Sequence, residues 1–387
     1  MRSEGRRRAF LAALALALAL APASAPAAEH VIHISVDGLS ATLLEALIAN
    51  DVNGDYASFA RFVAEGATTF AARTDYTHTI TLPNHTSMLT GRPVLQPTGQ
   101  PNTVHHGYTD NGDPAPGVTL HNSGNPNLTY VASAFDVVHD HGLMTAHYAS
   151  KSKFVLYDRS YDAAHGAADA LPPDDGTDKI DVYFQSTPGA THAAFLAGMS
   201  ANHFDYVFLH YSNPDNAGHV FGWGSAQWNQ AVRDVNGYLE DLFALVEGDP
   251  VLDGHTLILL SADHGGTGFD HSGATTAANY TIPFFTWGDG VVAGADLYAL
   301  NPDTRLHPGM GRPSYTEPVQ PIRNGDGANL ALAALSLPPV PGSTIGAAQD
   351  LELNAAAIPL LPQLARVALF AMLLAGGVLM LRGRARA

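Results

Sequence analysis

The chain of 387 residues contains no cysteine. That excludes disulfides, thiolate metal sites and a cysteine nucleophile. Charged residues are also scarce, at 14%, and basic ones scarcest: 19 Lys and Arg stand against 36 Asp and Glu, a formal net charge of −17. The first 28 residues contribute +3 and the last 33 contribute +4, so residues 29–354 carry −24. So acidic a body excludes nucleic-acid coating by a basic surface and suits a cation-dependent enzyme. Internal repeats and low-complexity tracts are absent from the body. Histidine, in contrast, is as frequent as Lys and Arg together, 19 against 19, which hints at metal ligation.

The two ends read as processing segments. Residues 1–28 begin with Arg2, Arg6, Arg7 and Arg8, continue with an apolar run over 10–21 and end in small residues around Ala23, Ala25 and Ala28. That is the order of a secretory signal peptide, removed near 25–28. Residues 355–387 hold Pro359 and Pro362, then an uncharged apolar stretch over 367–381, then Arg382, Arg384 and Arg386. As a helix the apolar stretch spans ~22 Å against a hydrocarbon core of ~30 Å, and Arg366 could snorkel to extend it. It reads as a tail anchor to the membrane, or as a sorting segment, because it resembles the bacterial carboxy-terminal signals read by exosortase-type sorting enzymes. The expected result is an exported protein, periplasmic or at the cell surface, with one domain over residues 29–354 long enough to bury a large core.

Apolar runs alternate with helical patterns along that body. VIHISVDG from Val31, YVFLH from Tyr206, LILL from Leu257 and IPFFTW from Ile282 read as strands, and residues 143–148 as another. Residues 40–49, 59–66, 130–141, 192–202, 229–246 and 328–335 read as helices. DVNGD at 51–55 is read as a loop, its glycine being misplaced for a calcium-binding EF-hand. The alternation implies an α/β fold with a mainly parallel sheet covered on both faces, whose sites gather beyond the carboxyl ends of the strands.

Polar residues fall at those ends. Asp37-Gly38 follows the first strand, Asp215 and His219 follow Tyr206–His210 in SNPDNAGH, and Asp263-His264 follow Leu257–Leu260. Asp215 and His219, four apart, can face one cation from a single helical turn. With one further histidine these make two sets of oxygen and nitrogen donors, suited to zinc or manganese rather than calcium. Singly, each has a plainer reading: Asp263 as a cap, His264 as a satisfied core histidine, Asp215 in a turn. The stretch YTHTITLPNHTSMLTG adds a hydroxyl. Its β-branched residues Thr77, Thr79, Ile80 and Thr81 suggest a strand, and Pro83 the first position of a helix. Thr81 would then meet an anion at a helix N-terminus, and beside a cation its oxygen could attack phosphorus. Taken alone, the stretch is equally a strand followed by a helix capped by Asn84.

As an ordered set, Asp37-Gly38, Thr81-Leu82-Pro83-Asn84, Asp215-x-x-x-His219 and Asp263-His264-Gly265 resemble the type I phosphodiesterase/nucleotide pyrophosphatase branch of the alkaline phosphatase superfamily, over roughly residues 31–337. The resemblance implies a three-layer α/β/α sandwich and two divalent ions, zinc or alternatively manganese. It implies that Asp37, Thr81, Asp263 and His264 hold one ion, and that Asp215, His219 and a later histidine hold the other. His271 is the first choice for that histidine, His307 the alternative. HHGYTDN matches the family's His-Gly-x-x-x-Asn spacing, which gives Asn111 the task of holding a phosphoryl oxygen. The implied substrate is a small-molecule phosphodiester or pyrophosphate. A phosphomonoesterase, a phosphonate hydrolase and a non-catalytic surface-binding protein are the alternatives. A sulfatase is disfavoured, because no Cys/Ser-x-Pro-x-Arg motif is present. Lys151 and Lys153 precede a strand-like run, and they either meet a phosphate or lie on the surface.

Overall fold

The computed structural model describes residues 28–172 and 176–354. The expected signal segment, up to residue 27, and the apolar tail from residue 355 lie outside these. Among the described residues no helix is long and apolar enough to cross a membrane.

Eight strands form one sheet in the order β4-β3-β5-β1-β6-β7-β2-β8. They are β1 His30–Val36, β2 Ala67–Arg73, β3 Thr145–Ala149, β4 Val182–Gln185, β5 Tyr206–Tyr211, β6 Thr256–Ser261, β7 Thr281–Gly288 and β8 Ala295–Asp296. Only β7 runs against its neighbours, pairing antiparallel with β6 and β2. The central strand β1 is buried along its whole length, and its side chains alternate between two cores. Ile32, Ile34 and Val36 enter one, Val31 the other. This two-sided burial is why the strands read as continuous apolar runs and not as polar–apolar alternation.

Helices α1 Ala41–Ala49, α2 Ala57–Glu65, α6 Pro188–Asn202 and α8 Ala226–Gly248 contribute to the first core. Helices α3 Thr81–Thr90, α4 Ala134–His139, α5 Val155–Ser160 and α9 Asp326–Ala334 build the second. Helix α7 (Asn213–Phe221) leads out of β5 and packs on α8. The result is the expected three layers around a mostly parallel sheet.

Three local expectations are corrected. Residues 74–80 form no strand, and α3 starts at Thr81 itself, with Pro83 two residues in. The β-branched run is held as a loop because the buried carboxylate of Asp75 collects the backbone N–H groups of Thr77, His78 and Val94. Helix α4 is shorter than the pattern over 130–141, being capped at Ser133 through Asp136. The run after Lys153 is helix α5, not a strand. The loop at 51–55 is as read, with Asp51 accepting from the backbone of Asn53, Gly54, Asp55 and Tyr56.

Phe285 on β7 is fully buried and packs its ring against Phe62 and Phe70. Phe285→Ala should therefore destabilise the domain by ~3–5 kcal/mol, read as a lower urea midpoint at unchanged slope.

Candidate active site

The carboxyl ends of four adjacent strands, β3, β5, β1 and β6, meet at one place. Asp37 follows β1 directly. The next residue, Gly38, adopts φ 71°, and a Cβ there would fall 2.8 Å from Cα of Asp215. Only glycine allows that approach. Backbone bonds then stitch the ends together: Asp215 N–H donates to the Asp37 carbonyl at 3.0 Å, and Gly38 N–H to Asp263 Oδ1 at 3.2 Å. From β3, Lys151 reaches in and donates to Asp37 Oδ2 at 2.7 Å and to Asp215 Oδ2 at 2.5 Å.

Each carboxylate has one oxygen engaged by the protein and one oxygen left over. Asp37 Oδ2 is taken by Lys151 and His210, Asp215 Oδ2 by Lys151, and Asp263 Oδ1 by the N–H groups of Gly38 and His264. The other oxygens, Asp37 Oδ1, Asp215 Oδ1 and Asp263 Oδ2, are buried with no hydrogen-bond partner among the described residues, and so is His264 Nε2. These four atoms converge: His264 Nε2 lies 3.2 Å from Asp263 Oδ2, 3.4 Å from Asp37 Oδ1 and 3.9 Å from Asp215 Oδ1. Buried polar atoms are seldom left unsatisfied, so the convergence calls for an ion.

The histidines agree. His264, His219 and His271 each place Nδ1 on a backbone carbonyl, of Gly265, Phe269 and Thr79 respectively. A carbonyl only accepts, so Nδ1 carries the proton and Nε2 presents its lone pair to the cluster. His219 Nε2 and His271 Nε2 lie 3.1 Å apart and 3.4 and 3.6 Å from Asp215 Oδ1. Each ring bonds a carbonyl through Nδ1 and turns Nε2 to the same point, where a shared cation would be held by both. Asp37, Asp263 and His264 form one compact donor triad and Asp215, His264 and His271 another, with His264 between them. The donor set therefore fits two divalent ions. His307 is not brought here: it is exposed, accepts from Gly309 N–H and packs on Tyr298.

The electrostatics follow from burying three acids together. Burial raises Asp37, but the Lys151 charge and the His210 hydrogen bond outweigh it and hold Asp37 well below the usual carboxylate range. Burial and the neighbouring charge of Asp37 push Asp263 well above that range. Burial keeps His264 neutral.

Thr81 is the first residue of α3 and is buried. Its carbonyl accepts from His85 Nδ1 at 2.8 Å, and that nitrogen lies 3.5 Å from Asp263 Oδ2. Thr79, two residues earlier, bonds His271 through both its carbonyl and its hydroxyl. The helix start is thus tied to both donor triads. Asn84 is not a cap of the expected kind; its side chain holds the entering loop at Asp75, His78 and Ile80. Asn111 accepts the Leu82 N–H through Oδ1 at 2.9 Å, which places its side-chain amide at the helix start. Lys153 donates to the Asn111 carbonyl.

Three site residues escaped the sequence reading. Lys151 was left between phosphate contact and surface, and it sits between two acids. His210 is the next-to-last residue of β5, takes the Ser150 N–H on Nδ1 and so must donate from Nε2 to Asp37. His85 bridges Ser35 and Thr81 from inside α3.

A profile of the type I phosphodiesterase/nucleotide pyrophosphatase family matches residues 31–305, most of the chain. The chain belongs to that family. All seven candidate metal-site residues lie within the span matched to the type I phosphodiesterases. Mouse GPI ethanolamine phosphate transferase 1 is 27% identical over 140 residues, which are 35% of this chain and 15% of that protein, so the chain spans only a small part of this relative. Among solved structures, murine ectonucleotide pyrophosphatase/phosphodiesterase 5, as an inactive variant with AMP, aligns at TM-score 0.55 and 13% identity over 84% of this chain and 99% of its own. A multiple mutant of the alkaline phosphatase PafA aligns at TM-score 0.55 and 13% identity, covering 83% of this chain and 98% of its own. These likenesses establish the alkaline phosphatase-like fold, and family and fold together support a phosphoester hydrolase.

Because Asp263 holds its proton above the ordinary range, ligating a cation must expel it. Metal binding should release protons and weaken as pH falls, measurable by zinc titration calorimetry in buffers of different ionisation enthalpy.

Proposed function

We propose that the protein is an exported hydrolase of phosphodiester or pyrophosphate bonds that uses Thr81 as nucleophile and two divalent ions, zinc or manganese. The observation that carries the reading is the convergence of unpartnered donors Asp37 Oδ1, Asp215 Oδ1, Asp263 Oδ2 and His264 Nε2 beside the start of α3. Asp37, Asp263 and His264, with Thr81, would hold one ion, and Asp215, His219 and His271 the other. Such ions, when bound, lower the pKa of a hydroxyl and neutralise charge on phosphoryl oxygens.

The chain's own groups supply the rest. The Thr81 oxygen forms a bond to phosphorus as the bond to the leaving alcohol breaks; the threonine gives up its proton and the alcohol gains one. Water then cleaves the phospho-threonine and restores the hydroxyl. Asn111, its carbonyl oxygen fixed by Leu82 N–H, offers its NH₂ group to an equatorial oxygen, and the N-terminus of α3 adds its dipole. His85 holds the Thr81 backbone, and His210 and Lys151 hold the outer oxygen of Asp37. Export is supported by the basic, apolar and small order of residues 1–28, and anchoring or sorting by the apolar tail.

One observation favours a monoester as a second reading. Lys151 and Lys153 bring two ammonium groups beside the acids and Asn111, and a monoester carries one more negative charge than a diester for them to meet.

The test is turnover of bis(p-nitrophenyl) phosphate against p-nitrophenyl phosphate, with zinc or manganese, in wild type and Thr81→Ala. Faster diester cleavage that falls by roughly two orders of magnitude or more in the variant is expected. Monoester preference would shift the substrate class to the second reading, and equal rates in both proteins would remove Thr81 from the mechanism.

A further inference from the structure

The acid–histidine cluster reaches water at one corner. The His219 side chain is 45% exposed, whereas those of Asp37, Asp215, Asp263, His264 and His271 are 6% exposed or less. Beside that corner Phe269, whose carbonyl His219 bonds, is 63% exposed, and the two residues that follow His219 in α7, Val220 and Phe221, are 65% and 50% exposed. Single exposed apolar residues are ordinary; neighbours grouped beside a reactive centre are not.

The placement of Phe269 and Trp223 is fixed by the site itself. The Phe269 carbonyl accepts the Nδ1–H of His219 at 3.2 Å. Gly222, at φ 91°, brings the α7 terminus against the Phe269 ring, 3.7 Å from where a Cβ would stand. Trp223 N–H donates to Gly268 at 2.9 Å, and the indole N–H donates to the Gly38 carbonyl at 2.8 Å. A Cβ at Gly218 or at Gly266 would collide with the Trp223 ring, at 2.7 and 2.1 Å, so both glycines leave room for the indole. That ring meets His219 and His271 edge-on or tilted, with centroids 5.4 and 5.8 Å away. The corner is a pre-ordered aromatic wall next to the Asp215–His219–His271 donors.

We propose that Phe269, with Trp223 behind it, forms the subsite for an apolar or aromatic alcohol leaving from the phosphoester. The inference rests on the hydrolase reading and names its substrate class. Thr81 is tied to the Asp263 side of the cluster through His85. In-line displacement sends the leaving group away from the nucleophile, toward the side where His219 opens to solvent. There the group meets apolar surface that water otherwise covers, and burying it favours substrates with larger apolar alcohols.

The experiment compares phenyl and 2-naphthyl esters, of whichever phosphate class turns over faster, on the zinc-loaded protein. The two phenols leave with similar ease but differ by one fused ring of apolar area. Wild type should prefer the naphthyl ester by about fivefold in kcat/KM, carried mainly by KM. Phe269→Ser should remove the preference by slowing the naphthyl ester more than the phenyl ester, and Phe269→Leu should restore most of it. Phe269 is largely exposed and its backbone bond to His219 survives either change. Cleavage of both esters with no preference, or the same preference in Phe269→Ser, overturns the subsite and leaves the hydrolase reading standing. Equal loss on both esters means Phe269 acts only through His219, which also overturns it. Unchanged preference with weaker binding of the variant to anionic phospholipid vesicles would make the corner a membrane contact instead. A wild type that cleaves neither ester overturns the hydrolase reading, and the subsite with it.

Discussion

Three carboxylates buried within a few ångströms of one another set the terms for the rest of this structure. Asp37, Asp215 and Asp263 meet at the strand ends, and one lysine, Lys151, cannot balance all three. One consequence is visible in the acids themselves, as Asp37 is held ionised by its cationic neighbours and Asp263 is pushed toward its protonated form. The other is visible in the histidines, which bond backbone carbonyls through Nδ1 and turn Nε2 toward the acids. An arrangement this costly to leave uncompensated supports the proposed binding of cations there.

The fold supports that constraint by rigidity. The sheet is buried on both faces, so the ends of β1, β5 and β6 are fixed relative to one another by parallel registers. Gly38 lets the turns after β1 and β5 close to contact, and the outer oxygens of the acids are pinned by backbone N–H groups, Lys151 and His210. Each carboxylate is thereby aimed before any ion arrives, which is how second-layer contacts raise affinity and define geometry. The α3 start is attached to the same frame through His85 and Thr79, so a nucleophile at Thr81 would share the precision of the acids.

Much of this was readable from residue order. Strands buried on both faces leave long apolar runs, and a polar residue ending such a run stands out, which made Asp37, Asp215 and Asp263-His264 visible. Histidines inside the body were harder. His85 sits within helix α3 and His210 within the apolar strand β5, and a neutral buried histidine has the same sequence appearance whether it fills a core or orients an acid. Lys151 could not be decided because the partners that draw it inward, Asp37 and Asp215, are 114 and 64 residues away. The run Thr77–Thr81 misled for a different reason: β-branched residues favour strands only where a neighbouring strand is present to pair with. Here the Asp75 carboxylate takes the backbone donors instead. Strand β2, ATTFAAR, went unread because small residues and a terminal arginine, buried against the loop over 309–311, hide its pattern.

The proposed function requires two divalent cations in the cluster at the ends of β1, β5 and β6. Anomalous diffraction at the zinc and manganese edges, on crystals of protein purified without chelator, tests it most directly. The account predicts two peaks per chain, one against Asp37, Asp263 and His264 and one against Asp215, His219 and His271. A folded protein whose cluster shows no peak, with added zinc and manganese at neutral pH, would contradict it.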